Sequence, residues 1–154
     1  MSGMEQRVSC IALSVADAKR ARRFYEDMGW RMSSASREIM PLFNANGFVF
    51  ILFDRQRSAH EAFGGAIPPE AQACVDNPPA FEGITFSYVV REHEDVQAII
   101  DHAVKSGGRM LSAAKEQPWG NVSGYFADPD GHIWEVSRTG RTPLQPDGNF
   151  RIGD

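Results

Sequence analysis

Gly124-Tyr125-Phe126-Ala127-Asp128-Pro129-Asp130-Gly131-His132-Ile133-Trp134-Glu135-Val136 reads as two short strands joined by a tight turn. Asp at the first turn position, Pro at the second and Gly at the fourth fit a type I turn. The strands are expected over Gly124–Ala127 and His132–Arg138. Side chains alternate across a strand, so Trp134 and Val136 share one face and Glu135 takes the other. Only one of Tyr125 and Phe126 can lie on the Glu135 face. His132 follows the turn directly and reads as a surface or hairpin residue.

Upstream, the same half holds a strand at Gly83 to Val90, with Ile84, Phe86, Tyr88 and Val90 on one face. A helix follows at Glu94 to Ser106, with His93 at its start and an apolar stripe of Val96, Ile99, Ile100 and Ala103. Gly107-Gly108 ends it, and a strand at Arg109 to Ala113 leads into the hairpin. The first half of the chain repeats this order. Val8 to Val15 is a strand with Ile11, Leu13 and Val15 on one face, and Asp17 is an N-cap. Ala18 to Met28 is a helix, Gly29 a left-handed stop. Strands are expected at Trp30 to Ser36, Glu38 to Phe43 and Phe48 to Phe53, with Asn46-Gly47 as the turn before the last. Lys19, Arg20, Arg22 and Arg23 lie off the helical stripe and read as a solvated face.

Each half is therefore strand–helix–strand–strand–strand, a βαβββ module. Its helix covers one face of its sheet, so the other must meet a second copy, a partner chain or a ligand. Between the halves, Arg55 to Ala80 carries Gly64-Gly65, Pro68-Pro69 and Pro78-Pro79 and reads as a long connection with a short helix near Ser58 to Phe63. The fold class expected is α+β: one domain over 7–138, with module one at 7–54, connection at 55–80 and module two at 81–138. A tail follows over 139–154, with a turn at Asp147-Gly148.

The 154 residues are 42% hydrophobic and 23% charged, with net charge -4. That apolar content excludes disorder as the main state. The acidic balance argues against a nucleic-acid footprint. No apolar run reaches the ~18 residues a membrane helix needs. Two cysteines, Cys10 and Cys74, are far apart and form no CxxC, as expected of a reduced, cytoplasmic protein without a disulfide framework. Met1 to Arg7 is polar and leads into no apolar segment of the secretory kind.

Two segments carry a resemblance to a known family. One is Val15-Ala16-Asp17 followed by Phe24-Tyr25-Glu26-Asp27-Met28-Gly29-Trp30. The other is Trp119-Gly120 followed by the Gly124–Val136 stretch. Together with the duplicated plan they resemble the vicinal oxygen chelate superfamily, also called the glyoxalase/bleomycin resistance/dioxygenase superfamily. The resemblance implies paired modules forming an eight-stranded mixed, cleft-containing sheet, commonly in a homodimer. It also implies a divalent metal held in the cleft by residues of both modules. Its ligand positions fall on Cys10, Phe50, Thr85 and Glu135 of this chain. Glu135 is a standard ligand and Cys10 an unusual thiolate. Phe50 has no donor atom and Thr85 is a weak neutral one. The set disfavours a resident metal and suggests a cleft lined by Cys10, Phe50, Thr85 and Glu135. His60, His93, His102 and His132 add no converging ligands.

Glu135 is the candidate catalytic residue, as a general base in a partly apolar cleft, or else a remnant held by a hydrogen bond. Cys10 is a candidate thiol or a packed side chain. Trp119, Phe50 and Tyr125 are candidates for an aromatic pocket or for ordinary packing. The leading expectation is a dimeric protein of this fold that binds a small, partly apolar organic ligand without a catalytic metal. The alternatives are a metal-dependent lyase, isomerase or dioxygenase of the same superfamily, and a non-catalytic interaction module. No nucleic-acid or membrane partner is expected.

Overall fold

Asp17 starts the first helix as its position demands. In a computed structural model, which describes residues 3–91, 95–140 and 142–153, its Oδ1 accepts the backbone N–H groups of Lys19 and Arg20. The elements in order are β1 (Cys10–Val15), α1 (Ala18–Asp27), β2 (Leu42–Asn44), β3 (Val49–Asp54), α2 (Arg55–Ala62) and α3 (Pro69–Asp76). Then come β4 (Thr85–Val89), α4 (Val96–Lys105), β5 (Arg109–Glu116), β6 (Val122–Ala127) and β7 (Ile133–Arg138). The start expected for α4 at Glu94, and His93 before it, lie outside the described residues. Asp95 caps α4 through the Gln97 N–H.

The strands form two mixed sheets, ordered β1-β3-β2 and β4-β7-β6-β5. In each, the first strand of the module runs parallel beside its last. Asn46 and Gly47 both take positive φ, as a primed hairpin turn needs, and connect β2 to β3. The Asp128–Gly131 turn closes with a bond from the Gly131 N–H to the Asp128 carbonyl.

The expected eight strands are seven among the described residues. The segment Trp30 to Ser36 contributes only a bridge between Met32 and Phe43, and Arg37 bridges Met40. Serine chemistry explains the loss. The Ser36 hydroxyl donates to the Leu42 carbonyl and accepts the Leu42 N–H, and the Ser33 hydroxyl accepts the Ala35 N–H. These side-chain bonds take backbone groups that a ladder would use. The connection also differs: it holds two helices, with Pro69 opening α3 where its missing N–H costs nothing. Gln56 and Gln72 exchange amide hydrogen bonds and pin α2 to α3.

One core serves both sheets. Leu13, Val15, Phe24, Phe50 and Leu52 of the first module pack with Ile100, Phe126, Trp134 and Val136 of the second. Tyr25 sits at the junction, its ring 5.1 Å from Phe24 and Phe50 and 5.3 Å from Trp30. Its hydroxyl donates to Asp128 Oδ2 at 2.7 Å and accepts from Trp134 Nε1 at 3.2 Å. Asp128 Oδ1 meanwhile accepts the N–H groups of Asp130 and His132, fixing the turn. Arg20, expected in solvent, reaches this turn and pairs with Asp130 at 3.0 Å.

His132 is a correction too. It is buried, with Nε2 2.8 Å from the Ser14 carbonyl and Nδ1 3.3 Å from Glu82. Glu82 also pairs with Arg55 at 2.7 Å, and Arg55 donates to the same Ser14 carbonyl. The histidine thus joins the end of β1, the connection and the hairpin turn. Its place beside the turn signalled exposure, but the turn folds back against β1.

Two changes test this core. Gly124 faces α4 so closely that a Cβ would stand 2.6 Å from Ile100 Cδ1 and 2.9 Å from backbone atoms of Ser112 and Ala114. Gly124→Ala should lower unfolding free energy by about 1–3 kcal/mol, read as an earlier urea midpoint at unchanged slope. Burial holds the Asp128 carboxyl above its ordinary range. Such a carboxyl binds its proton more tightly folded than unfolded, so its contribution is largest below the unfolded pKa and is lost as pH rises through the folded one. The stability difference between wild type and Asp128→Asn should therefore shift in favour of wild type as pH falls from 7 to about 4. A difference independent of pH would contradict this.

Candidate functional site

Strand parity sorts the candidates onto two faces. On β7, Trp134 and Val136 enter the core, so Ile133, Glu135 and Ser137 face the opposite way. Across the ladder Glu135 is flanked by Ser87 on β4 and Tyr125 on β6. The Ser87 hydroxyl donates to Glu135 Oε2 at 2.6 Å, and the Tyr125 hydroxyl donates to Oε1 at 3.2 Å. One neighbouring strand thus holds each carboxylate oxygen. Burial, and then the adjacent Glu135 charge, raise the Tyr125 hydroxyl above its ordinary value, so it stays a donor. Thr85 shares this face two residues from Ser87 and is exposed. Ser123, also on this face, accepts from the Gln117 amide.

In the first module, β1 and β3 pair in parallel with Cys10 opposite Val49 and Ala12 opposite Ile51. Cys10, Ala12, Val49, Ile51 and Phe53 therefore lie on the face turned away from the core. The two sheets meet at a small cavity of about 220 Å³, lined by Ala12, Ser14, Ile84, Phe86, His132 and Ile133 among others.

Cys10, Thr85 and Glu135 thus have the facing expected of them. Phe50 does not: it is fully buried against Tyr25, Trp30, Phe86 and Trp134. The expected register was one residue out, and Ile51 has the outward position beside it. Nor does the aromatic pocket form. Trp119 stands at the tip of the β5–β6 hairpin, 64% exposed, in a turn closed by Gln117 and Asn121. Phe50 is in the core, and only Tyr125 reaches Glu135. Cys10 is exposed rather than packed. Ser87, the hydroxyl that grips Glu135, was missed because a lone serine carries no motif. Its register two residues past Thr85 was the available signal.

The donor set does not fit a resident divalent ion. Of the outward residues, Glu135 is a hard anionic ligand whose oxygens already accept two hydroxyls, Thr85 is neutral, Cys10 is a soft donor, and Ile51 has no donor. Among the described residues, no three His, Cys, Asp or Glu side chains converge. What the arrangement supplies is an oriented carboxylate among hydroxyls, able to accept a hydrogen bond or a proton from a bound molecule.

Residues 7–136 match the family model of the Glyoxalase/Bleomycin resistance protein/Dioxygenase superfamily, and the chain belongs to that superfamily. Among solved structures it is similar to a glyoxalase-related enzyme from Fulvimarina pelagi, at 28% identity and TM-score 0.80 over 97% of this chain and 99% of that one. It shares its fold with a lactoylglutathione lyase from Agrobacterium tumefaciens, at 22% identity and TM-score 0.60 over 88% and 95% of the two chains. A glyoxalase/bleomycin resistance protein/dioxygenase family enzyme from Burkholderia phytofirmans PsJN aligns at 15% identity and TM-score 0.69, over 86% and 98%. No curated protein matches the chain. No helix among the described residues is long and apolar enough to cross a membrane.

Both thiols are open to solvent. Native protein should therefore release two equivalents of thionitrobenzoate from Ellman's reagent per chain, at rates within about tenfold of the urea-unfolded protein. A silent Cys10 would place it in a packed environment.

Proposed function

We propose that this chain binds a small, partly apolar organic molecule on the sheet face that carries Glu135, without a resident metal ion. The observation that carries this reading is the Glu135 carboxylate held by the Ser87 and Tyr125 hydroxyls on a face turned away from the core. Glu135 would accept an N–H or O–H of the ligand, while Ile51 and Phe53 offer apolar contact from the other module. The donor set at the family's metal positions supports metal independence.

The protein works as a homodimer in the cytoplasm. A second copy would cover apolar side chains that now meet solvent: Phe81, Ile84 and Trp119 each leave 60% or more of their surface exposed. Two unpaired thiols suit a reducing compartment.

Elemental analysis of purified protein should find no stoichiometric Ni, Fe, Zn or Mn, and light scattering should give twice the chain mass. A thermal-shift screen of aromatic and thiol-bearing compounds should find a stabilising ligand, whose effect at a hundredfold excess over Kd is about 2.7 kcal/mol. Glu135→Gln should cut that shift. About one metal ion per chain, with turnover of the hemithioacetal of methylglyoxal and glutathione, would replace this reading with a metal-dependent lyase.

A further inference from the structure

A concavity larger than the one between the sheets lies away from the Glu135 face. A groove of about 510 Å³ runs between α1 and α4, on the helix-covered side. Its size lies in the range of small-molecule sites. Its floor is aromatic: Trp30, Phe126 and Trp134, with Tyr25 beside them. Two polar atoms of that floor are engaged, because the Trp134 N–H is given to Tyr25 and the Tyr25 hydroxyl to Asp128. Tyr25, Phe126 and Trp134 are buried, so the half-buried Trp30 offers the accessible ring, which suits an aromatic body.

The rim carries the charge. Asp95, Ala98, Ile99 and His102 all line the groove from α4, at the i, i+3, i+4, i+7 spacing of one helix face. Asp95 uses one oxygen, Oδ1, to cap the helix. His102 has its Nε2 2.6 Å from the Asp27 carbonyl, which can only accept, so that nitrogen donates. On the other wall are Met28 and Gly29, at the C-terminal, electronegative end of α1, whose last turn holds no basic residue. Among the described residues, no Lys or Arg lines the groove. Asp95 and His102 are seven residues apart, about 10 Å along the helix.

We propose that this α1–α4 groove is a second binding site, for a planar fused-ring aromatic cation carrying amine N–H donors. The rings lie on Trp30, and the positive end meets Asp95. Charge complementarity selects the cation over an anion of the same shape, in keeping with the acidic balance of the chain.

The probe is proflavine, a flat tricyclic diamine, with 8-anilinonaphthalene-1-sulfonate as the anionic counterpart. Three tryptophans are present, and two of them, Trp30 and Trp134, line the groove. In a Trp119→Phe background, emission comes from the groove alone. Proflavine should quench it saturably, and the sulfonate should not compete. Asp95→Asn keeps a good N-cap and should weaken binding about threefold, as for a solvent-screened ion pair. Ala98→Phe, at an exposed helix position, should fill the groove and abolish saturation; Ala98→Met does so partially if the larger change disturbs folding by circular dichroism. Absence of saturable quenching, or binding that survives both Ala98 variants, or equal binding of the sulfonate would overturn the proposal.

Discussion

The hydrogen bond from Tyr25 to Asp128 holds the two modules in one molecule. It connects a helix of the first module to the hairpin turn of the second, 103 residues away. A hydroxyl–carboxylate bond in a buried setting contributes about 1.5–3 kcal/mol, and leaving the carboxylate unmet would cost at least as much. Its geometry matters beyond its strength. Trp134 donates to the same hydroxyl, and Asp128 uses its other oxygen to hold the turn. The turn in turn delivers His132 to the end of β1 and Asp130 to Arg20 and the Ala16 N–H. Side chain, turn and sheet edge are fixed by one set of contacts.

That fixation determines which residues meet solvent. With Trp134 pointing into the shared core, Glu135 can only point out, and Ser87 and Tyr125 are brought beside it by register. A slip of one residue in β7 would bury the carboxylate and expose Trp134, so the core itself defends the position of Glu135. The same alternation turns Phe50 inward and leaves Ile51 outward in the first module. The duplicated scaffold keeps its parallel first-to-last strand pairing in both modules, is one strand shorter in the first, and differs in chemistry: one module offers an oriented carboxylate, the other hydrocarbon.

The duplication, both long helices and the Asp17 cap of the first, the Asn46-Gly47 and Asp128–Gly131 turns, and the inward facing of Trp134 and Val136 were legible from local rules. These features depend on neighbours a few residues apart. The outward facing of Glu135, Cys10 and Thr85 was also legible, from parity alone. What escaped depends on distant partners. Parity within Phe48 to Phe53 is ambiguous because every residue there is apolar, so only the pairing with β1 decides that Phe50 is buried. His132 looked exposed because Ser14 and Glu82 are 118 and 50 positions away. The weakened strand after Gly29 hinged on which backbone groups the Ser33 and Ser36 hydroxyls would take. The helix at Pro69 had a start signal but no apolar stripe.

One strand bears on how copies of this chain can meet. β5 is the outer strand of the four-stranded sheet, and two register shifts interrupt its pairing with β6. Arg109, Lys115 and Glu116 place charges of both signs along it. An irregular, charged border of this kind is a poor template for another strand. Growth of a continuous sheet from molecule to molecule is thereby discouraged at that border.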